Sequence, residues 1–489
     1  MAKAIMIQGT MSNAGKSFFA AALCRIFKQD GYSCAPFKSQ NMALNSYITS
    51  DGCEIGRAQA MQAEAAGVEP SVLMNPVLLK PTTDCGSQII VNGKAVCNMT
   101  AAEYFKRKRE LVPQIMESYN ALSAAHDIIV IEGAGSPVEL NLKSDDIVNM
   151  GMAELAKAPV LLVGDIDRGG IFAQLLGTLS LLEKHELDMV KGIVVNKFRG
   201  DISLFDSGRD ILEQRGGKPV LGVVPYLRCD IEDEDSLSRK LDSKSSKGII
   251  DIAVIRLPKI SNFTDFDVFA QYDGVGVRYV TKYEELDTPD MIIIPGTKST
   301  IADMKWLRES DMEMAIKRCA AKGVPVFGIC GGFQMLGESI SDPLGSEGGG
   351  SIRGMGLLKC STVFGSEKVQ TQTEGNFCKI DGFWSFLSGA EFRGYEIHMG
   401  TTESESPELL DCGGAYEGNV CGCYIHGIFD SQYVSERLAR HLFERQGIAY
   451  RGGTVNREEY KQSQFDMLAD GVRRSIDMDM LYKIIEEGI

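Results

Sequence analysis

Two short stretches place reactive side chains at spacings that chemistry can use. Gly328-Ile-Cys330-Gly-Gly332 follows the apolar run Val324–Phe327 and precedes a helical pattern. Cys330 is thereby expected at a sharp strand-to-helix corner, where flanking glycines allow a tight turn and a helix start favours the thiolate. A hundred residues later, CGCYIHGIFD delivers His426 from a short apolar strand to a glycine. It is read as the base for Cys330, with His398 of GYEIHMG as its competitor. Ile294-Pro295-Gly296-Thr297-Lys298 ends another strand, and backbone N–H groups near Gly296, with that of Gly331, are expected to receive an oxyanion. This constellation points to hydrolysis of a carboxamide through a thioester.

The second stretch is near the N-terminus. Gly9-Thr10-Met11-Ser12-Asn13-Ala14-Gly15-Lys16-Ser17 lies between an apolar strand and a helical run. Backbone N–H groups there cradle phosphates, Lys16 meets the β and γ phosphates, and Ser17 ligates Mg²⁺. Gly9, Thr10, Asn13, Gly15, Lys16 and Ser17 are thus the expected contacts for ATP. Five residues separate Gly9 from Gly15, one more than in the common phosphate loop. Glu132, ending the run Ile128–Glu132, is the expected second Mg²⁺ ligand. Asp165 ends a further strand-like run in GDIDRGG and is read as a substrate-binding candidate. Lys38, Gln40, Asn41, Asn45 and Arg57, in PFKSQNMALNSY and DGCEIGRAQA, are read as lining a pocket for an anionic, amide-bearing substrate.

These sites need two α/β frameworks to hold them. Apolar runs at Ala4–Ile7, Ile128–Glu132, Val160–Val163 and Gly192–Asn196 alternate with helical runs at Ser17–Asp30 and Ala101–His126, which gives a doubly wound parallel sheet over residues 1–229. The polar, serine-rich stretch 230–248 reads as a linker. The alternation restarts with IDIAVIRLP, MIIIPGT and VPVFGICGG, so residues 249–450 form a second α/β domain, followed by a helical tail over 451–489. A chain of 489 residues is also too long for one core.

Charge and composition exclude other classes. A net charge of −15 is the wrong sign for a nucleic-acid surface. No apolar run is long enough to span a bilayer and the N-terminus carries no secretory pattern, so a cytoplasmic protein is expected. Thirteen cysteines scattered over this length read as reduced core thiols.

The lengthened phosphate loop resembles that of dethiobiotin synthetases and cobyrinate amidases. Positioning ATPases of the same fold carry an extra loop lysine where this chain has Met11. The Cys330 and His426 motifs resemble class I glutamine amidotransferases, although their glutamate two residues after the histidine is here Ile428, leaving open whether a dyad operates or another acceptor orients the ring. Together with EGAGSPVELNL and DIDRGGIF, the quoted motifs run in the same order as in the cobyric acid synthases of cobalamin biosynthesis, a subgroup that itself lacks that glutamate. The resemblance implies ATP- and glutamine-dependent amidation of the b, d, e and g carboxylates of adenosylcobyrinic acid a,c-diamide, a corrinoid, through an acyl phosphate and ammonia carried along a protected route. Two alternatives stand beside it: the sister a,c-diamide synthase, and a regulatory nucleotide-binding protein with an inert amidotransferase domain.

Overall fold

The computed structural model describes residues 2–81, 86–231, 248–450, 452 and 457–489. It forms two compact units: Met1–Met42 with Cys53–Glu232 and Glu458–Ile489, and Ala43–Gly52 with Asp233–Arg457. The expected linker falls almost entirely outside the described residues.

The first unit is built on a six-stranded, all-parallel sheet in the order Val220–Pro225, Val190–Phe198, Val160–Asp165, Lys3–Gly9, Ile128–Glu132, Cys34–Phe37. Successive residues of a strand point to opposite faces, and here both faces are covered. Met6, Ile129 and Ile131 pack into one core, while Ile5, Ile7, Ile128 and Val130 pack into the other. That is why these runs are continuously apolar rather than alternating.

Helix Lys16–Gln29 buries Phe19 to Phe27 against the second of these cores. The tail helices Arg457–Arg473 and Met478–Glu487 bring Phe465, Leu468, Val472 and Leu481 to the same core. The single helix expected over Ala101–His126 is broken instead: Ala101–Arg107 and Val112–Ala125 are joined by a 3-10 turn at Lys108–Leu111. Pro113, in the first turn of the second helix, has no N–H to give to a preceding turn, so an unbroken α-helical ladder cannot run through it.

The second unit carries five parallel strands in the order Val275–Val280, Ile250–Ile255, Met291–Ile294, Val326–Ile329, Val420–Cys423. Gly413–Glu417 and Glu408–Leu410 extend it antiparallel. Ile250, Ile252 and Val254 face one core and Ala253 and Ile255 the other. A four-stranded sheet, in which Cys360–Asn376 pairs antiparallel with Glu391–Ser404, completes the unit. Among the described residues no helix is long and apolar enough to cross a membrane.

Candidate active site

In an open parallel sheet, loops leaving the C-terminal strand ends share one edge. In the second unit four neighbouring strands each deliver one part. Met291–Ile294 leads to Gly296, Val326–Ile329 to Cys330, and Val420–Cys423 to His426. The 3-10 segment Phe263–Gln271, after the strand Ile250–Ile255, supplies Asp265.

Cys330 has φ 51° and ψ −109°, a conformation that costs an L-residue energy and marks a nucleophile corner. Its amide donates to Cys423 O at 2.9 Å, tying the turn to the strand that leads to His426. Its thiol faces Ile397 O at 3.6 Å. A Cβ added to Gly331 would stand 2.7 Å from Thr297 Cγ2, and one added to Gly296 would stand 2.8 Å from His426 Cε1. Only glycine lets the oxyanion loop, the nucleophile turn and the base ring approach so closely. The expected Gly296, Gly331, Cys330 and His426 therefore converge.

His426 is 1% exposed and Asp265 4%. Nδ1 of His426 lies 2.7 Å from Asp265 Oδ2, while Asp265 Oδ1 accepts the Gly427 amide at 3.1 Å. This carboxylate is the acceptor that the sequence left unassigned. Its signal was faint: an aspartate inside the aromatic run NFTDFDVF, where a plain core would not bury a charge. Burial disfavours the charged imidazole, but Asp265 and then Cys330 outweigh it, and the His426 pKa is pushed up to about 10. The other ring, His398, is held by Glu396 at 2.9 Å and Gly400 O at 2.8 Å, stacked on Tyr424.

Beneath the oxyanion loop, Asp303 Oδ2 lies 2.5 Å from Thr297 Oγ1, which also lies 3.0 Å from Lys259 O. Asp303 Oδ2 also accepts the Lys259 amide at 3.2 Å. Burial pushes this carboxyl up to about 6, against the hydrogen bonds from Thr297 and Lys259 that favour its charged form.

In the first unit, the phosphate loop joins Gly9, which ends the central strand, to Lys16, which opens the helix. Lys16 Nζ curls over the loop to Met11 O at 3.0 Å and Gly135 O at 3.1 Å. Thr10 Oγ1 lies 3.1 Å from Gln174 Oε1. Asn13 and Gly15 both have positive φ, which turns loop amides inward as an anion cradle requires. Ser17 Oγ donates to Glu132 Oε1 at 2.8 Å, so two hard oxygens sit together beside the loop, a donor pair that suits Mg²⁺ when phosphates and water complete the shell.

Glu132 is also held by Lys38 at 2.9 Å and by Gln62, unremarked in the sequence, at 2.6 Å. Burial raises the Glu132 pKa, but Lys38, Gln62 and Ser17 together bring it below the usual carboxylate value. Lys38 thus faces the phosphate loop. Gln40 accepts from Tyr104 at 2.5 Å and Asn41 donates to Gln59 at 2.9 Å. Arg57 is buried at the start of helix Arg57–Ala66. Asn45 belongs to the segment grouped with the second unit. Asp165 takes Lys197 at 3.0 Å, and Lys197 reaches Asn13 O, so Asp165 is tied to the phosphate loop.

A phosphate-loop fold followed by a Cys–His–Asp centre on an α/β sheet defines a nucleotide-binding glutamine amidotransferase. Comparison with known proteins agrees. The CobQ/CobB/MinD/ParA nucleotide binding domain matches residues 5–237, and the CobB/CobQ-like glutamine amidotransferase domain matches residues 251–434. The cobyric acid synthase of Ruminiclostridium cellulolyticum is 55% identical over 100% of this chain and 98% of its own length. That of Lachnoclostridium phytofermentans is 55% identical over 100% of both chains, and that of Yersinia enterocolitica 48% over 99% of this chain and 98% of its own. The chain belongs to the cobyric acid synthase family, and is a glutamine-dependent amidating enzyme.

Proposed function

We propose that the chain amidates the b, d, e and g carboxylates of adenosylcobyrinic acid a,c-diamide to adenosylcobyric acid, in the cytoplasm, with glutamine as nitrogen donor and MgATP as activator. The observation that carries the glutaminase half is the buried Asp265–His426 contact at 2.7 Å beside the strained Cys330. Asp265 holds a proton on Nδ1 and favours the imidazolium, so the thiol proton moves to Nε2 and Cys330 attacks the glutamine carboxamide as a thiolate. The amides around Gly296 and Gly331 receive the oxyanion. His426 then protonates the departing ammonia, leaving a glutamyl thioester that water hydrolyses.

In the first unit, Lys16 and the loop amides hold the transferring phosphate, and Ser17 with Glu132 would hold Mg²⁺, which supplies charge neutralisation when bound. The substrate carboxylate attacks the γ phosphate and ADP departs as the β–γ P–O bond breaks; ammonia then displaces phosphate from the resulting acyl phosphate to give the amide. The relatives' shared name supports the corrinoid as substrate. Corrinoid amidation is tested by incubating the protein with the a,c-diamide, MgATP and glutamine and following mass gain at each carboxylate. No gain with either glutamine or ammonium salt would overturn this reading.

A further inference from the structure

The strand Glu391–Ser404 reaches both reacting residues, through Tyr395 and, two positions on, through the main chain of Ile397. Ile397 O faces the Cys330 thiol at 3.6 Å. The Tyr395 ring stacks on His426 with centroids 5.4 Å apart, and the two residues exchange backbone hydrogen bonds of 2.9 and 3.0 Å.

What holds Tyr395 comes from far earlier in the sequence. Its hydroxyl donates to Ser46 O at 3.1 Å and accepts from Asn262 Nδ2 at 3.2 Å, while Asn262 Oδ1 accepts the Ser46 amide at 3.1 Å. The three groups close a ring. Asn262 immediately precedes the segment that carries Asp265, and its carbonyl accepts the Asp265 amide at 3.1 Å. The main chain of Ser46 therefore grips directly both the residue stacked on His426 and the residue that starts the segment orienting it. Ile48 packs into a buried cluster with Tyr395 and Ile397, and Gln372 donates to Ile48 O. Only a few residues upstream, Lys38 is paired with Glu132 beside the phosphate loop.

We propose that Tyr395 and Asn262 are positioning residues through which the Ala43–Gly52 segment aligns the His426–Asp265 pair, so that MgATP and corrinoid, acting on the first unit from which this segment departs, accelerate glutamine hydrolysis. The proposal rests on Cys330, His426 and Asp265 being the glutaminase centre. It accounts for why a stretch of the N-terminal half is built into the second unit, and why it engages through backbone groups, which a substitution of Ser46 leaves intact.

The test is glutamate release by the full chain, with and without MgATP plus the a,c-diamide, for wild type, Tyr395→Phe and Asn262→Gly. Tyr395→Phe keeps the stacked ring and removes the hydroxyl; Asn262→Gly keeps access to the left-handed backbone (φ 51°) found there. Each cut removes buried hydrogen bonds, so the stimulated kcat should fall about tenfold towards the unstimulated rate. KM for glutamine should stay unchanged and ammonia-dependent amidation should persist. Stimulation preserved in both variants, or a wild type that MgATP and corrinoid do not stimulate, would overturn the proposal. Loss of ammonia-dependent amidation would overturn it too, since the residues would then serve the fold at large. A wild type that releases no glutamate at all would instead remove the glutaminase reading.

Discussion

Replacing Asp265 by asparagine removes one charge from a pair with almost no solvent access. The carboxylate accepts at both oxygens, from His426 Nδ1 at 2.7 Å and from the Gly427 amide at 3.1 Å. An amide has one acceptor oxygen for these two donors. The His426 pKa stands at about 10 in the fold against about 6.5 for a free imidazole, a difference worth roughly 5 kcal/mol. Burial opposes this shift, and Asp265 is the largest cause raising it, ahead of Cys330, so loss of the carboxylate should cost on the order of 4 kcal/mol, or about a thousandfold in rate.

The sign of the pH effect follows. Protonation of the leaving ammonia needs an imidazolium, so wild-type glutamate release should hold through neutral pH and decline as pH rises through about 10. With Cys330 alone left to oppose burial, the alkaline limb of Asp265→Asn should move down by about two to three units. The assay is steady-state glutamate release from pH 6 to 10.5, with ammonia-dependent amidation as the control for folding. A variant within threefold of wild type, with its alkaline limb in place, would refute the orienting role.

Gly296→Ala should cost glutaminase activity by about a hundredfold or more while sparing ammonia-dependent amidation, because the new methyl would meet His426 Cε1 at 2.8 Å; parallel assays with glutamine and ammonium decide it. For Asp303, pushed up to about 6 by burial, the folded state keeps a proton that the unfolded chain has released above about pH 4, so wild-type stability should fall by up to about 3 kcal/mol between pH 4 and 6. Asp303→Asn lacks that slope, and denaturant midpoints of the two proteins across this range should diverge accordingly. Glu132→Gln takes the Glu132 carboxylate from the 6%-exposed Lys38 ammonium and should destabilise the first unit by about 3 kcal/mol, whereas the double variant with Lys38→Met should recover much of this; differential scanning calorimetry of the three proteins checks it.

The sequence revealed most where one local pattern decides the outcome. Continuous apolar runs such as Ile128–Ile131 and Val160–Val163 announced buried parallel strands because both faces are covered, and Gly-x-Cys-x-Gly announced the nucleophile turn because its glycines leave room for a tight corner. The partners that complete the sites are long-range. Asp265 lies 161 positions from His426 and Gln62 lies 70 from Glu132, and no short-range periodicity connects them. Asn262 and Tyr395 were equally invisible, since each is an ordinary polar or aromatic residue until Ser46 is brought between them. Pro113 was the legible signal passed over, and it accounts for the broken helix.

Two chemistries are divided between Cys330 and the Lys16 loop. The most direct test of this division compares corrinoid amidation by wild type and Cys330→Ala, with MgATP and either glutamine or an ammonium salt. Cys330→Ala should lose all glutamine-dependent amidation and glutamate release yet amidate with ammonium at the wild-type rate. Glutamine-dependent amidation that survives the loss of Cys330 would rule out this division.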